Sequence, residues 1–371
     1  MSKHLPKATA FFANALNSIN LKTTLYPLLL LVLACCAATA QDIHYSQFYN
    51  APNHLNPALT GVFRGCTRFM GNYRSQWRAV PVDYLTFTAA ADQKFYPKDT
   101  EKKGLFAAGL HLDYDRAGSS NLQQAQLALS GAYAHSLSSR AFLSVGVELA
   151  GSNRSFDTGN LTWDNNFDPG RGQFDPTLPG EDFSNNSRTF LSVGTGLNLR
   201  LQSLGDAELV DDGTKRTKLD LGVGIFHVNR PDQSFKNFGS KSRLFVRWSP
   251  YAMGVLQLGK QLPFDLVGNL TWQIQGPYEE KLGMLGIRWH ADTKPDNQIW
   301  FQIGSGYRFD DFSDAVYPTI EVFFKGIHIG ANYDINVSDF NVATNRRGGF
   351  ELSGRYIINC SPRLVKVCPF I

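Results

Sequence analysis

From Gly65 onward the chain is built of segments of about 10 to 14 residues in which apolar and polar side chains alternate, with turn residues between them. In RTFLSVGTGLNLRLQ one face carries Leu191, Val193, Thr195, Leu197, Leu199 and Leu201. The other face carries Ser192, Gly194, Gly196, Asn198, Arg200 and Gln202. The same split runs through 327–338, where Ile327, Ile329, Tyr333 and Ile335 oppose His328, Asn332 and Asp334, and through 297–309, where Phe301 and Ile303 oppose Gln302 and Arg308. About fourteen such segments follow one another: 65–77, 82–96, 104–114, 122–137, 140–155, 188–202, 217–229, 243–258, 262–275, 278–290, 297–309, 315–324, 327–338 and 349–359.

Length decides between two architectures that share this pattern. Strands of soluble sandwiches run about 5 to 6 residues, whereas a tilted strand crossing hydrocarbon needs about 9 to 11. The segments fit the second case. The fold expected is therefore all-β: a transmembrane outer-membrane β-barrel of about fourteen antiparallel strands, with its isolated charges Glu148, Arg200, Asp334 and Arg355 facing the lumen. An even strand number returns the last strand beside the first. The longest connection, 156–187, and the long connection 230–242 then fall on the same, outward side, while 203–216, on the opposite side, is longer than the rule prefers. Trp77, Tyr114, Trp272, Trp289, Trp300 and Tyr317 lie near expected strand ends, where interfacial aromatic girdles form.

Composition agrees with this picture: charged residues make up 18% of the chain, aromatics 13%, and glycines number 33. A net charge of +4 without a dense basic block gives no footprint for nucleic acid. Ahead of the barrel, Lys3, Lys7 and Lys22 precede an apolar run, 25–40, that ends in the small residues Ala38 and Ala40. This pattern predicts a signal peptide over residues 1–40, cleaved after Ala40, and hence an exported protein. A lipidated Cys35 is the alternative. Residues 41–63 lack the period of two and form an N-terminal plug-like or rim segment. Residues 64–360 are the barrel, and 361–371 a C-terminal periplasmic tail.

Chemistry-bearing motifs are few. The chain holds no phosphate loop, no H-E-x-x-H, no C-x-x-C and no G-x-S-x-G, so no catalytic or cofactor-binding residues are assigned and no cofactor is expected. In the 156–187 connection, Asp164, Asn166, Asp168 and Asp175 stand at calcium-loop positions one, three, five and twelve. The sixth position, where the template needs Gly, is Pro169, so an Asx-rich turn without metal is the leading expectation. Tyr45, Gln47, Phe48, Tyr49, Asn56 and Pro57 in the N-terminal segment either enter the lumen or pack under its rim.

Several stretches resemble one family. QDIHYSQFYNAPNHLNPALTG (41–61), NYRSQW (72–77), GVGIFHVNRPDQSF (222–235) and NYDINVSDFNVATNRRGGFELSGRY (332–356), followed by a Cys-Pro tail, are similar to the PorP/SprF outer-membrane proteins of type IX secretion and gliding motility in Bacteroidetes. The resemblance implies a non-enzymatic barrel in outer-membrane lipid that supports secretion or surface anchoring of cargo such as gliding adhesins. Its partners would be type IX secretion components and secreted surface protein domains. A diffusion channel or hydrophobic-solute transporter is the alternative function; the oligomeric state is not legible. Three cysteines survive signal removal, which allows a local Cys360–Cys368 bridge or, through barrel closure, Cys66 with Cys360.

Overall fold

Fourteen long strands pair antiparallel in chain order and close on themselves. They are β1 (Thr67–Gln76), β2 (Tyr84–Phe95), β3 (Gly104–Ala117), β4 (Leu122–Ser138), β5 (Ala141–Ser155), β8 (Ser187–Gln202), β9 (Lys218–Phe226), β10 (Arg247–Gln257), β11 (Phe264–Gln275), β12 (Tyr278–Asp292), β13 (Ile299–Phe309), β14 (Ala315–Phe324), β15 (Ile327–Asn336) and β16 (Arg347–Ile358). Two short strands, β6 (Phe167–Asp168) and β7 (Gln173–Phe174), make a small hairpin in the connection between β5 and β8. The structure, a computed structural model, describes residues 42–76, 84–95, 104–118, 120–157, 159, 161–162, 164–175, 177–178, 185–203, 215–235, 241–259, 262–294, 297–309, 314–338 and 346–358. The expected signal peptide 1–40, Trp77, Cys360, Cys368 and the expected tail 361–371 lie outside this set.

Closure comes from β1, whose Thr67 stands opposite Gln93 of β2 on one side and Ile358 of β16 on the other. Every barrel strand thus has two partners, which removes the unpaired backbone that hydrocarbon would penalise. Strands run from nine residues in β9 to seventeen in β4, long enough to span a bilayer when tilted. Each of the fourteen expected segments holds one barrel strand, its ends displaced by a few residues.

Alternation sorts the two surfaces. Leu285 and Ile303 are 67% and 66% exposed on the outer wall, while Gln302, next to Ile303 on β13, and Asn198 on β8 are buried on the inner one. An apolar exterior around a polar interior is the arrangement that lipid outside and a filled lumen inside require. Trp272 and Trp289 face outward as a girdle would, but Trp300 and Tyr317 do not: both are buried in the lumen. Their parity explains the correction, because Trp300 shares the face of Gln302, and Tyr317 the face of Thr319 and Glu321.

The two ends of the barrel differ. At one end lie the two-residue turns 139–140 and 325–326 together with the start of β1 and the end of β16. At the other lie the long connections from β5 to β8 and from β9 to β10, which pack on each other through Arg188–Asp232 (3.3 Å) and a Phe156–Phe235 edge contact. Just before β1, Cys66 is disulfide-bonded, to a cysteine outside the described residues, and its amide donates to the carbonyl of Ile358 at 2.9 Å.

Candidate functional site

The segment ahead of β1 is folded by its prolines. A 3-10 turn (Phe48–Asn50) leads into α1 (Pro52–Leu55), which opens on a proline, and a second 3-10 turn (Pro57–Leu59) opens on another. Proline at a first helical position loses no hydrogen bond and presets φ. Between them Asn56 is extended and caps the second turn, its Oδ1 accepting from the amide of Ala58 at 2.8 Å. Gly61, at φ 77°, turns the chain out toward β1.

This segment occupies the lumen from one end to the other. Ile43 and His44 lie toward the long-loop end, where their carbonyls accept from Arg247 (3.4 Å) and Arg74 (2.9 Å). Thr60 to Phe63 lie at the short-turn end: Thr60 donates to Ser130 at 2.9 Å, the amide of Gly61 to Asp92 at 2.8 Å, and Lys94 to the carbonyl of Phe63. Polar contacts from the segment reach β1 to β4, β8, β10 and β12 to β16. Phe48, Leu55, Leu59 and Val62 form its apolar side, packed on Tyr251, Val255, Val267, Leu282, Met284 and Tyr317 of the wall.

Tyr45, Gln47, Phe48, Tyr49, Asn56 and Pro57 all lie in this segment. Tyr45 shares a 2.7 Å hydrogen bond with Thr88, and Gln47 donates its side-chain amide to Asn332 at 2.6 Å. Tyr49 donates to Glu321 at 2.8 Å. Asn56 donates to the carbonyl of Leu197 (2.8 Å) and to Tyr251 (3.0 Å). Phe48 and Pro57 are buried.

Two wall clusters that sequence reasoning did not single out grip the segment. In the first, Glu351 accepts from the amides of Ser46 (2.6 Å) and Gln47 (2.9 Å) and pairs with Arg74 (3.1 Å). The Ser46 hydroxyl accepts from Arg308 (2.6 Å) and donates to Asp334 (2.9 Å), which both arginines also reach. In the second, Asp113 accepts from Thr88 and Gln126, at 2.8 and 3.2 Å, and the Nε2 atoms of His54 and His111 lie 2.8 and 3.3 Å from its carboxylate. His54, His111 and Asp113 are the one set of three such ligand atoms gathered within 4.8 Å among the described residues. Both imidazoles turn Nε2 to the carboxylate, which also accepts from Thr88 and Gln126.

A third feature is steric. Gly146, Gly196 and Gly224 are direct neighbours on β5, β8 and β9, in a row continued by Ala132 and Ala107 on one side and Ser249 on the other. A Cβ on any of the three glycines would overlap the segment: Ala58 and Pro57 at Gly146, Asn56 at Gly196, the Leu55 carbonyl at Gly224. The wall is hollowed where the segment docks.

The calcium-template residues are arranged otherwise. Asp168 Oδ1 accepts from the amides of Gly170 (2.8 Å) and Arg171 (3.2 Å), and Asn166 donates to the carbonyl of Leu178 (2.7 Å). Asp175 accepts from the amide and hydroxyl of Thr177 (2.9 and 2.6 Å), which hold its carboxyl below the usual carboxylate range. Arg171 lies between Asp168 and Asp175, at 3.6 and 3.9 Å, and Asp164 opens a 3-10 turn.

The family model described as type IX secretion system membrane protein PorP/SprF matches residues 37–356. No curated protein matches. Among solved structures the chain is similar to the CymD monoaromatic hydrocarbon channel at 10% identity (84% of this chain, 93% of that one, TM-score 0.45). A Pseudomonas aeruginosa FadL homologue gives 11% identity, 81% and 92% coverage and a TM-score of 0.46. The Pseudomonas putida toluene transporter TodX gives 12% identity, 82% and 92% coverage and a TM-score of 0.43. The closed barrel and the family match place the protein in the outer membrane.

Proposed function

Because this chain belongs to the PorP/SprF family of type IX secretion system membrane proteins, we propose that it is a lumen-filled, non-enzymatic scaffold in that system, supporting secretion or surface anchoring of cargo such as gliding adhesins. Its partners on this reading are secretion components on the periplasmic side and secreted surface protein domains at the outer loops. The observation that carries the proposal is the occupied lumen. A diffusion channel needs a continuous watery or apolar path, whereas here the chain's own residues 43–63 lie along the lumen and bond to most of the wall. A scaffold gains from such filling, because a barrel packed on the inside presents a rigid platform at both rims.

Deleting the gene tests the role. The surface-protein profile of the mutant should lose one or more secreted proteins while the remaining outer-membrane proteins persist. A profile identical to the parent's would remove the secretion role and leave the barrel without it.

A further inference from the structure

At the short-turn end, the periplasmic one in barrels that follow the turn-length rule, a cavity of about 250 Å³ lies between the N-terminal segment and the wall. Nine Lys or Arg side chains line it against two carboxylates, Asp220 and Glu321. Internal pairing accounts for part of that charge. Arg200 holds Asp220 at 2.8 Å; Arg68 and Arg216 hold Asp92 and Asp265 just behind the lining, at 2.6 and 2.8 Å. Glu321 is taken by His328 (2.7 Å), Tyr49 and Gln302.

The remaining positive charge is concentrated near β16 and β1. Arg64, Lys325 and Arg355 have no carboxylate within ion-pair distance among the described residues. Arg355 is the most exacting case, because its Nε is buried without a hydrogen-bond partner and the charges acting on it are mixed, Arg68 and Arg288 against Glu321 and Asp92 beyond ion-pair distance. Nearby, Arg288 sits over Trp300, 4.1 Å from the ring centre, and its Nε and Nη2 both donate to the Gln302 oxygen, at 3.1 and 2.9 Å. A concave site with low-dielectric walls and one sign of charge concentrates counter-ions of the other sign.

We propose that this vestibule binds an oxyanion, a carboxylate or phosphate group presented from the periplasm, with Arg355 as its deepest anchor and Arg64 and Lys325 at its mouth. The volume fits a small anion or the acidic end of a peptide, not a folded domain. The inference goes beyond the secretion reading and stands on the charge and shape of the cavity alone.

The test uses the full-length mature protein in detergent, titrated calorimetrically with inorganic pyrophosphate and, separately, with an N-acetylated tetraglutamate peptide at low salt. At least one probe should bind, with affinity falling about tenfold or more as salt rises from about 50 to 300 mM. Arg355→Gln should weaken binding about tenfold, the loss of one charge-assisted bond. The double variant Arg64→Gln, Lys325→Gln touches only the mouth and should weaken it several-fold, which keeps the test decisive if Arg355→Gln does not fold. Pyrophosphate binding alone assigns a free anion; tetraglutamate binding assigns a peptide-borne one. If neither probe binds at low salt, or if binding survives in the folded variants unchanged, the chain neutralises this charge itself and the proposal is overturned.

Discussion

Asn56 of the lumenal segment lies against Gly196 of β8 so closely that a methyl group on that glycine would occupy the position of the Asn56 side chain. The amide reaches past the missing side chain to the Leu197 carbonyl and to Tyr251, which itself donates to Asn198 at 2.8 Å. A bond network inside the barrel thus depends on an absent side chain in its wall. Gly196→Val should unseat the segment, at a cost of about 1–3 kcal/mol from overpacking. Limited proteolysis of the detergent-solubilised variant should then cut within residues 43–63, where the parent resists. Equal resistance would mean that the close fit does not hold the segment.

Arg74 joins Asp334 and Glu351 in a site where all three side chains are buried. Removing one partner of a buried ion pair leaves the others uncompensated, at about 3–5 kcal/mol. Arg74→Ala should therefore lower the urea midpoint of the barrel markedly. Ser46→Ala, which removes one hydroxyl from the same network, should lower it less, by about 1–3 kcal/mol. A larger effect from Ser46→Ala than from Arg74→Ala would contradict the assignment of the charges.

The register of β1 with β16 brings Cys66 beside Ile358, two residues before Cys360 in the chain. We propose that Cys66 pairs with Cys360, so that a covalent bond fastens the seam at which the barrel closes. Peptide mapping without reduction should recover a single cross-linked species joining the two. A Cys360–Cys368 peptide with Cys66 attached elsewhere would reject this pairing.

In the outer loop, the carboxylates of Asp168 and Asp175 already bind their own turns. Calcium at about 1 mM, the range of weak extracellular sites, should leave the melting temperature unchanged. Acid should act instead. The Asp175 pKa is lowered in the folded loop, so its turn is favoured above the usual carboxylate pKa and loses that support as pH falls through the lowered value. Loop cleavage by an acid-tolerant protease should rise only below pH of about 4. A calcium-dependent rise in melting temperature would restore the metal reading.

The barrel was legible because lipid outside and polar contacts inside impose a period of two that no residue can evade locally. Leu191 to Gln202 and Ile327 to Val337 show it without ambiguity. Trp300 and Tyr317 show how far that signal extends: position near a strand end suggested a girdle, yet the alternation of their neighbours already turned them inward. The lumenal segment was legible as a break in the period and as a set of aromatics and amides, including Tyr45, Gln47 and Asn56. Its docking site was not. The row Gly146, Gly196 and Gly224 and the cluster Arg74, Asp334 and Glu351 exist only once strands distant in sequence are paired in register, and no single strand carries the information for that pairing. Ser46 escaped notice for the same reason, since its importance comes entirely from Arg308 and Asp334.

The central claim, a filled barrel rather than an open channel, is tested most directly by conductance. The purified mature protein, inserted into planar bilayers, should show almost no current steps, while a variant lacking residues 42–60 should show large and frequent ones. Large ohmic steps from the intact protein, unchanged by that deletion, would contradict the account.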